Sequence, residues 1–478
     1  MDARTLRPYQ EVMIDHILAH PKGHLFAGMG IGKTVATLTA IDRMLLAGML
    51  TGPVLVLAPL RVAREVWPTE VNEWEHLKGL RVVPIIGTES ERRAALHKKG
   101  DIYTCNYENL VWLCETWGSH WPYQMVVCDE VSKIKSLRAS IRTNKDGTSF
   151  VAGQGGARAK LLLKTLYHHK VERFLGLTGT PSANGLEDLW GIMFPVDYGK
   201  RLGRTFSAFQ ARWFQRSFNG FGYEPLPHAQ GEIQAAIKDI CLSLRSEDYF
   251  DLEEPIVRTI TVELPPAVRK AYREMEKNLY TEICATPLEA FNSGAKTQKL
   301  LQFCNGAAYT GNASDPGKRN WVEIHDEKLK VLEEIVEEAS GEPLLVGYSL
   351  KSDLARILAR FPKAVHFSHT PGILERWNKG KIPLLVAHAA SMGHGLSLQH
   401  GGCRLVRFST DWNNEQFDQL LERLGPTRQK QSGYNRNVWE YRIVVKHSID
   451  EDVYESHATK KSVQDCLMEG LGRRARGL

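Results

Sequence analysis

The stretch that most constrains the fold is Ala27-Gly28-Met29-Gly30-Ile31-Gly32-Lys33-Thr34. Apolar Leu25 and Phe26 precede it, and Val35, Leu38, Ile41 and Leu45 follow at near-helical spacing up to Gly48, so the order is strand, glycine-rich loop, helix. Glycines let backbone N–H groups turn inward around an anion at a helix N-terminus, where the peptide dipoles favour negative charge. Lys33 supplies a cation for outer phosphates, and the Thr34 hydroxyl can ligate magnesium. Met29, Gly30, Ile31, Gly32, Lys33 and Thr34 are therefore predicted to cradle the phosphates of a nucleotide.

Met125-Val126-Val127-Cys128-Asp129-Glu130 then places two carboxylates directly after an apolar strand. Phosphoryl transfer to water needs a metal-holding carboxylate and a water-activating one. Asp129, with Thr34, is the predicted magnesium ligand, and Glu130 the predicted base.

Around these motifs, apolar β-rich runs alternate with helical stretches at Val54–Ala58, Ile102–Thr104, Met125–Cys128 and Phe174–Leu177, and again at Leu344–Gly347, Leu384–Ala387, Arg404–Phe408 and Tyr441–Val445. Such alternation predicts an α/β fold with two parallel sheets, each covered by helices. The stretch between them is richer in aromatic and charged residues, with Phe206, Phe209, Trp213 and Phe214 at helical spacing. It predicts three segments: a first lobe over 1–199, a mainly helical insert and linker over 200–320, and a second lobe over 321–478. Leu264-Pro265-Pro266 marks a boundary inside the insert, because paired prolines cannot continue a helix.

The eight cysteines are scattered, with no Cys-x-x-Cys pair, which predicts neither a zinc site nor a disulfide framework. His366 and His369 come nearest to metal-ligand spacing but lack companions, so magnesium is the only metal expected. No apolar run approaches the roughly 20 residues that cross a bilayer, and Met1-Asp2-Ala3-Arg4 lacks a signal-peptide pattern. A cytoplasmic location without membrane contact is the expectation. A net charge of +6 permits contact with a polyanion without establishing it.

Further motifs carry a resemblance. Leu6-Arg7-Pro8-Tyr9-Gln10, Val56-Leu57-Ala58-Pro59-Leu60 with Trp67 and Trp74 beyond, Thr104-Cys105-Asn106-Tyr107-Glu108, and the long run from Leu177-Thr178-Gly179-Thr180-Pro181 to Glu187-Asp188-Leu189-Trp190 lie in the first half. Leu384 to Leu398, Asp411-Trp412-Asn413, and Gln419 to Arg428 follow in the second. In this order they resemble the motifs of Swi/Snf-type ATPases of helicase superfamily two, and the compact second half looks most like bacteriophage-encoded members.

The resemblance implies two RecA-like lobes, ATP and Mg2+ as cofactors, hydrolysis between the lobes, and movement along double-stranded DNA held mostly by its phosphates. It implies that Arg7, Gln10 and Gly395 contact the nucleotide, Gln10 by reading the adenine edge, and that Pro59, Arg61, Thr180, Ser349 and Trp412 contact DNA, with the motifs at Val56–Leu60 and Thr104–Glu108 lining the path. Arg423 is implied as a finger that stabilises transition-state charge. A phage or host nuclease or replication protein is left open as a further partner.

Two departures from the family pattern stand out. Ser132 follows Asp129-Glu130-Val131 where the family has histidine, which puts coupling between motifs in question. Pro426 occupies the second arginine position, and the expectation is that a turn at Gly425-Pro426 swings Arg428 into its place. A strand-separating helicase and a noncatalytic ATP-gated clamp remain as alternatives.

Overall fold

A computed structural model describes residues 5–28, 30–144, 146–147, 149–179, 181, 185–216, 223–244, 253–285, 293–310, 320–368, 372–392 and 396–459. Met29, Thr180, His369 and Gly395 lie outside the described residues. The chain divides into two units, Met1–Asp251 and Leu252–Leu478.

The first unit is built on seven parallel strands: β1 (Lys22–Ala27), β2 (Val54–Ala58), β3 (Val82–Ile85), β4 (Ile102–Asn106), β5 (Met125–Asp129) and, beyond an antiparallel hairpin of β6 (Arg138–Thr143) and β7 (Ser149–Gln154), β8 (Arg173–Thr178). After a small hairpin of β9 (Phe214–Arg216) and β10 (Tyr223–Pro225), β11 (Cys241–Leu244) completes the sheet in the order β11-β1-β8-β5-β2-β4-β3. Both faces are covered. Along β2, Leu55 and Leu57 enter one apolar core while Val54, Val56 and Ala58 enter the other, and β5 divides in the same way. Alternate side chains point to opposite faces, so a strand buried on both sides reads as a continuous apolar run. Pro84 is tolerated in β3 because β3 is an edge strand with a single neighbour.

The second unit repeats the plan. It contains β12 (Ile256–Val262), a hairpin of β13 (Ala307–Thr310) and β14 (Asn320–Glu323), then β15 (Leu344–Tyr348), β16 (Val365–His366), β17 (Leu384–His388), β18 (Arg404–Arg407) and β19 (Trp439–Val445). Its six-stranded parallel sheet runs β12-β19-β18-β15-β17-β16.

The expected insert over 200–320 is not a body of its own. β11 pairs with β1 and belongs to the first sheet, whereas β12 pairs with β19 and belongs to the second. The helices Phe206–Trp213 and Ala229–Ile237 bury Phe209, Trp213 and Ile233 in the first unit, and Tyr272, Leu300 and Phe303 are core residues of the second. The reason is that β11 and β12 are edge strands; each satisfies one neighbour and carries polar residues, so neither reads as an apolar run. Pro266 opens the helix Pro266–Ala285, a position where its missing N–H costs nothing.

His24 is fully buried in β1, opposite Gly176 of β8. A Cβ at Gly176 would come within 2.1 Å of the imidazole, so the ring occupies the space that the glycine leaves. Burial pushes its pKa down to about 4, against a weaker upward pull from the backbone of Ile192 and Gly176. The unfolded chain takes up this proton near pH 6.5, but the folded chain resists it until about pH 4. Stability therefore falls as the pH drops through that window, by up to about 3 kcal/mol at the acid end. Denaturant unfolding at pH 7.5 and pH 5 should show a smaller loss for His24→Leu than for the unmodified chain; an equal loss would show that His24 is not the source.

Candidate active site

The loop after β1 turns by left-handed backbone at Gly30 (φ 79°) and Gly32 (φ 84°), a region that residues with side chains avoid. Ile31 between them is fully buried and anchors the loop to the core. Gly32 is also a point of close approach, since a Cβ there would lie 2.2 Å from Nε2 of Gln10. The helix Lys33–Leu46 begins at once, without a side-chain cap, and Thr34 is its second residue. The Lys33 ammonium donates to the carbonyls of Ala27 at 2.7 Å and Gly28 at 2.9 Å.

Gln10 sits in the first turn of the helix Pro8–Ala19, which Pro8 opens. Its Oε1 accepts from the Arg7 backbone at 2.9 Å, and its Nε2 donates to the Ile31 carbonyl at 3.5 Å. Glu11 holds Arg43 through two bonds of 2.9 and 3.0 Å, which fastens this helix to the one that follows the loop. Gln10 thus braces the glycine-rich loop directly, while the amide oxygen keeps a second lone pair and the amide nitrogen a second hydrogen.

Strand order brings the motifs together. β8, which carries Leu177-Thr178, lies between β1 and β5, so the loop, Thr178 and the Asp129-Glu130 pair stand at the carboxyl ends of three adjacent parallel strands. That edge is where ligands bind in open parallel sheets. Asp129 and Glu130 are both buried. The Trp67 indole donates to Oδ2 of Asp129 at 2.9 Å, and the Tyr107 hydroxyl donates to the Asp129 carbonyl at 2.9 Å. Burial raises the Tyr107 pKa well above its ordinary value, which keeps it a donor. Glu130 has a left-handed backbone, φ 61° and ψ 61°, that is rare outside glycine.

Ser132 is buried in the short turn after Glu130, and its carbonyl accepts from the Lys135 backbone. The Lys135 ammonium lies 3.1 Å from Asp188, which belongs to the extended motif after β8. An ion pair thus joins the turn after the acidic pair to the extended motif after β8.

Trp67 is fully buried and bonded to Asp129, and Trp74 is buried and donates to Glu70 at 3.0 Å, so neither lines a surface path. Pro59 is half-buried and Leu60 exposed at the carboxyl end of β2; Arg61 is ion-paired with Glu65 at 3.0 Å and Arg93 with Glu89 at 2.7 Å. Arg7 is exposed.

In the second unit, Ser349 follows β15. Its N–H donates to Oγ of Ser409, and its carbonyl accepts from Nε2 of His388 at 3.0 Å. Because the Ala390 N–H donates to Nδ1 of that ring, the Nε2 tautomer is required. Trp412 is half-buried against the core, and its carbonyl accepts from His457. Arg423 is buried in the last turn of the helix Asn414–Leu424. Gly425-Pro426 does not form a free turn: Pro426 opens another short helix, Pro426–Gln431. Arg428 within it donates to the Leu396 carbonyl at 3.1 Å, and burial lowers its pKa.

A polar network missed in the sequence runs beneath Ser349. Fully buried Lys328 and Asp450 pair at 2.7 Å; Lys328 also donates to Asn305, which donates to Asp353, and Asp353 accepts from Ser409 at 2.6 Å. Burial pushes the Asp353 pKa up to about 6, with the Ser409 bond pulling it down. These residues are spread over 146 positions with no shared motif, so nothing in their spacing announced the cluster.

The SNF2-related domain family matches residues 11–146. Putative protein p41 of Acyrthosiphon pisum secondary endosymbiont phage 1 is 46% identical over 99% of this chain and 100% of its own length. The Nuclear protein STH1/NPS1 of Saccharomyces cerevisiae is 23% identical over 97% of this chain, which spans 35% of that protein. A solved structure, the Sulfolobus solfataricus SWI2/SNF2 ATPase core in complex with dsDNA, is 21% identical, with 95% of this chain and 91% of that one covered and a TM-score of 0.43. With the glycine-rich loop and the acidic pair at the carboxyl ends of the two strands that flank β8, and the phage relative matched from end to end, the chain belongs to the Swi/Snf-type ATPases of helicase superfamily two, as a compact, bacteriophage-type member.

Proposed function

We propose that the chain is an ATP-hydrolysing motor that moves along duplex DNA, holding it mainly by its phosphates. The observation that carries this reading is the row of loop, Thr178 and Asp129-Glu130 at three adjacent strand ends, in a chain of this family. The loop amides and Lys33 hold the phosphates, and Gln10 reads the adenine edge. Thr34 and Asp129 form an all-oxygen donor set of the kind that suits Mg2+; the ion, when bound, neutralises charge between the outer phosphates. Glu130 takes the proton of the attacking water. Arg423 stabilises transition-state charge, with Arg428 as the second such arginine once it leaves Leu396.

ATP hydrolysis measured with no nucleic acid, single-stranded DNA, duplex DNA and RNA tests the reading. Duplex should stimulate most; stronger stimulation by RNA or single strands would overturn duplex as the track.

Trp67 fixes the Asp129 carboxylate, so it is a positioning residue. Trp67→Phe keeps the buried ring and removes the donor. It should reduce the affinity of a non-hydrolysable ATP analogue about tenfold with Mg2+ present, the worth of one hydrogen bond to a charged group, and leave affinity in EDTA unchanged. An equal fall in both conditions would mean general loss of packing.

Arg423→Ala should lower turnover by about 10³-fold or more with ATP binding retained. Arg428→Ala should also depress turnover more than affinity, and near-normal turnover would remove Arg428 from the site.

A further inference from the structure

Positive charge is concentrated in one place. Residues 131–160 contain seven lysines and arginines against the single Asp146, a net +6 that equals the charge of the whole chain, so the rest balances to zero. This segment follows Asp129-Glu130 directly and forms the β6–β7 hairpin. It therefore leaves from the carboxyl edge of the first sheet.

The base of the hairpin is fixed. Ile141 and Val151 pair across the ladder and pack on the first core. The Arg138 guanidinium lies 3.7 Å over the Phe206 ring and donates to the carbonyls of Lys135 and Leu137. At Gly153 and Gly155 a Cβ would lie 2.7 Å from the Arg138 carbonyl and 2.6 Å from that of Ser136, so only glycine lets the strands close there.

The outer part is different. Arg142 stands opposite Phe150, and both are exposed. The Arg142 guanidinium has no ion pair or hydrogen bond among the described residues, in contrast to Arg61, Arg93 and Arg158, each of which faces a glutamate. Lys133 at the foot is likewise exposed. An uncompensated cation beside an exposed aromatic ring, on a rigid two-stranded arm, matches a polyanion that alternates phosphates with flat, partly apolar units.

We propose that the β6–β7 hairpin, together with the turn Val131–Ile134 that leads into it, contacts DNA, with Arg142 of the hairpin and Lys133 of the turn pairing with backbone phosphates and Phe150 packing against a sugar or base beside Arg142. The proposal rests on the duplex-motor reading above. The test uses the full chain and a fluorescently labelled DNA duplex titrated over a series of salt concentrations. Arg142→Ala should reduce the steepness of log K against log salt by about one, and Lys133→Ala with Arg142→Ala by about two. Phe150→Ala should weaken binding about tenfold with the slope unchanged. Arg142→Glu should weaken binding more than Arg142→Ala does. ATP affinity and thermal unfolding of each variant report its folding. If the unmodified chain fails to bind duplex, the motor reading falls and the arm with it. If it binds and both Arg142→Glu and the double variant keep its affinity and slope, the arm alone is overturned. Displacement of DNA by polyglutamate at equal charge concentration would overturn it too, since an acidic protein surface would then be the better partner.

Discussion

The first unit depends on all seven strands of its sheet running in one direction. Loops that leave the carboxyl ends of parallel strands are forced to one edge, and strand order alone then decides which of them are neighbours. Placing β8 between β1 and β5 sets Thr178 between the phosphate loop and the acidic pair. The two apolar cores on either face give that edge its rigidity, because each strand of the centre is clamped by side chains that alternate between them. Polar groups held this way keep their positions without reorganising around a ligand.

Support for the site comes from behind it. Trp67 and Tyr107 both aim donors at Asp129, one at its carboxylate and one at its carbonyl, and both are buried. Gln10 stands against Gly32 and Ile31 from the other side. Lys135, in the turn after the acidic pair, is ion-paired with Asp188 of the motif after β8, with both side chains only partly exposed. A pair in that setting is less screened than one on the open surface.

Much of this was legible in the sequence. The central strands β2, β5, β8, β15 and β17 announced themselves because burial on both faces demands uninterrupted apolar runs. The loop and the acidic pair were legible because their chemistry fixes residue types at close spacing. Edge strands escaped notice for the converse reason: β12 has one neighbour and a mostly exposed surface, so Arg258 and the threonines fit it without penalty. The β6–β7 hairpin was missed because its alternation is diluted by glycine and polar residues. The role of Trp67 was not legible, because its partner Asp129 is 62 residues away and meets it only once the sheet is assembled. The Lys328–Asp450 pair hides in the same way, since charged residues carry no sign of burial in a linear chain.

The backbone at Glu130 has a consequence of its own. A left-handed conformation costs a residue with a side chain on the order of 1–2 kcal/mol, and glycine would relieve it. The chain keeps a carboxylate there and accepts a less stable native state. In return the direction of that carboxylate is set by the main chain as well as by its own rotamers. The direction in which the side chain leaves the main chain is established once, when the protein folds.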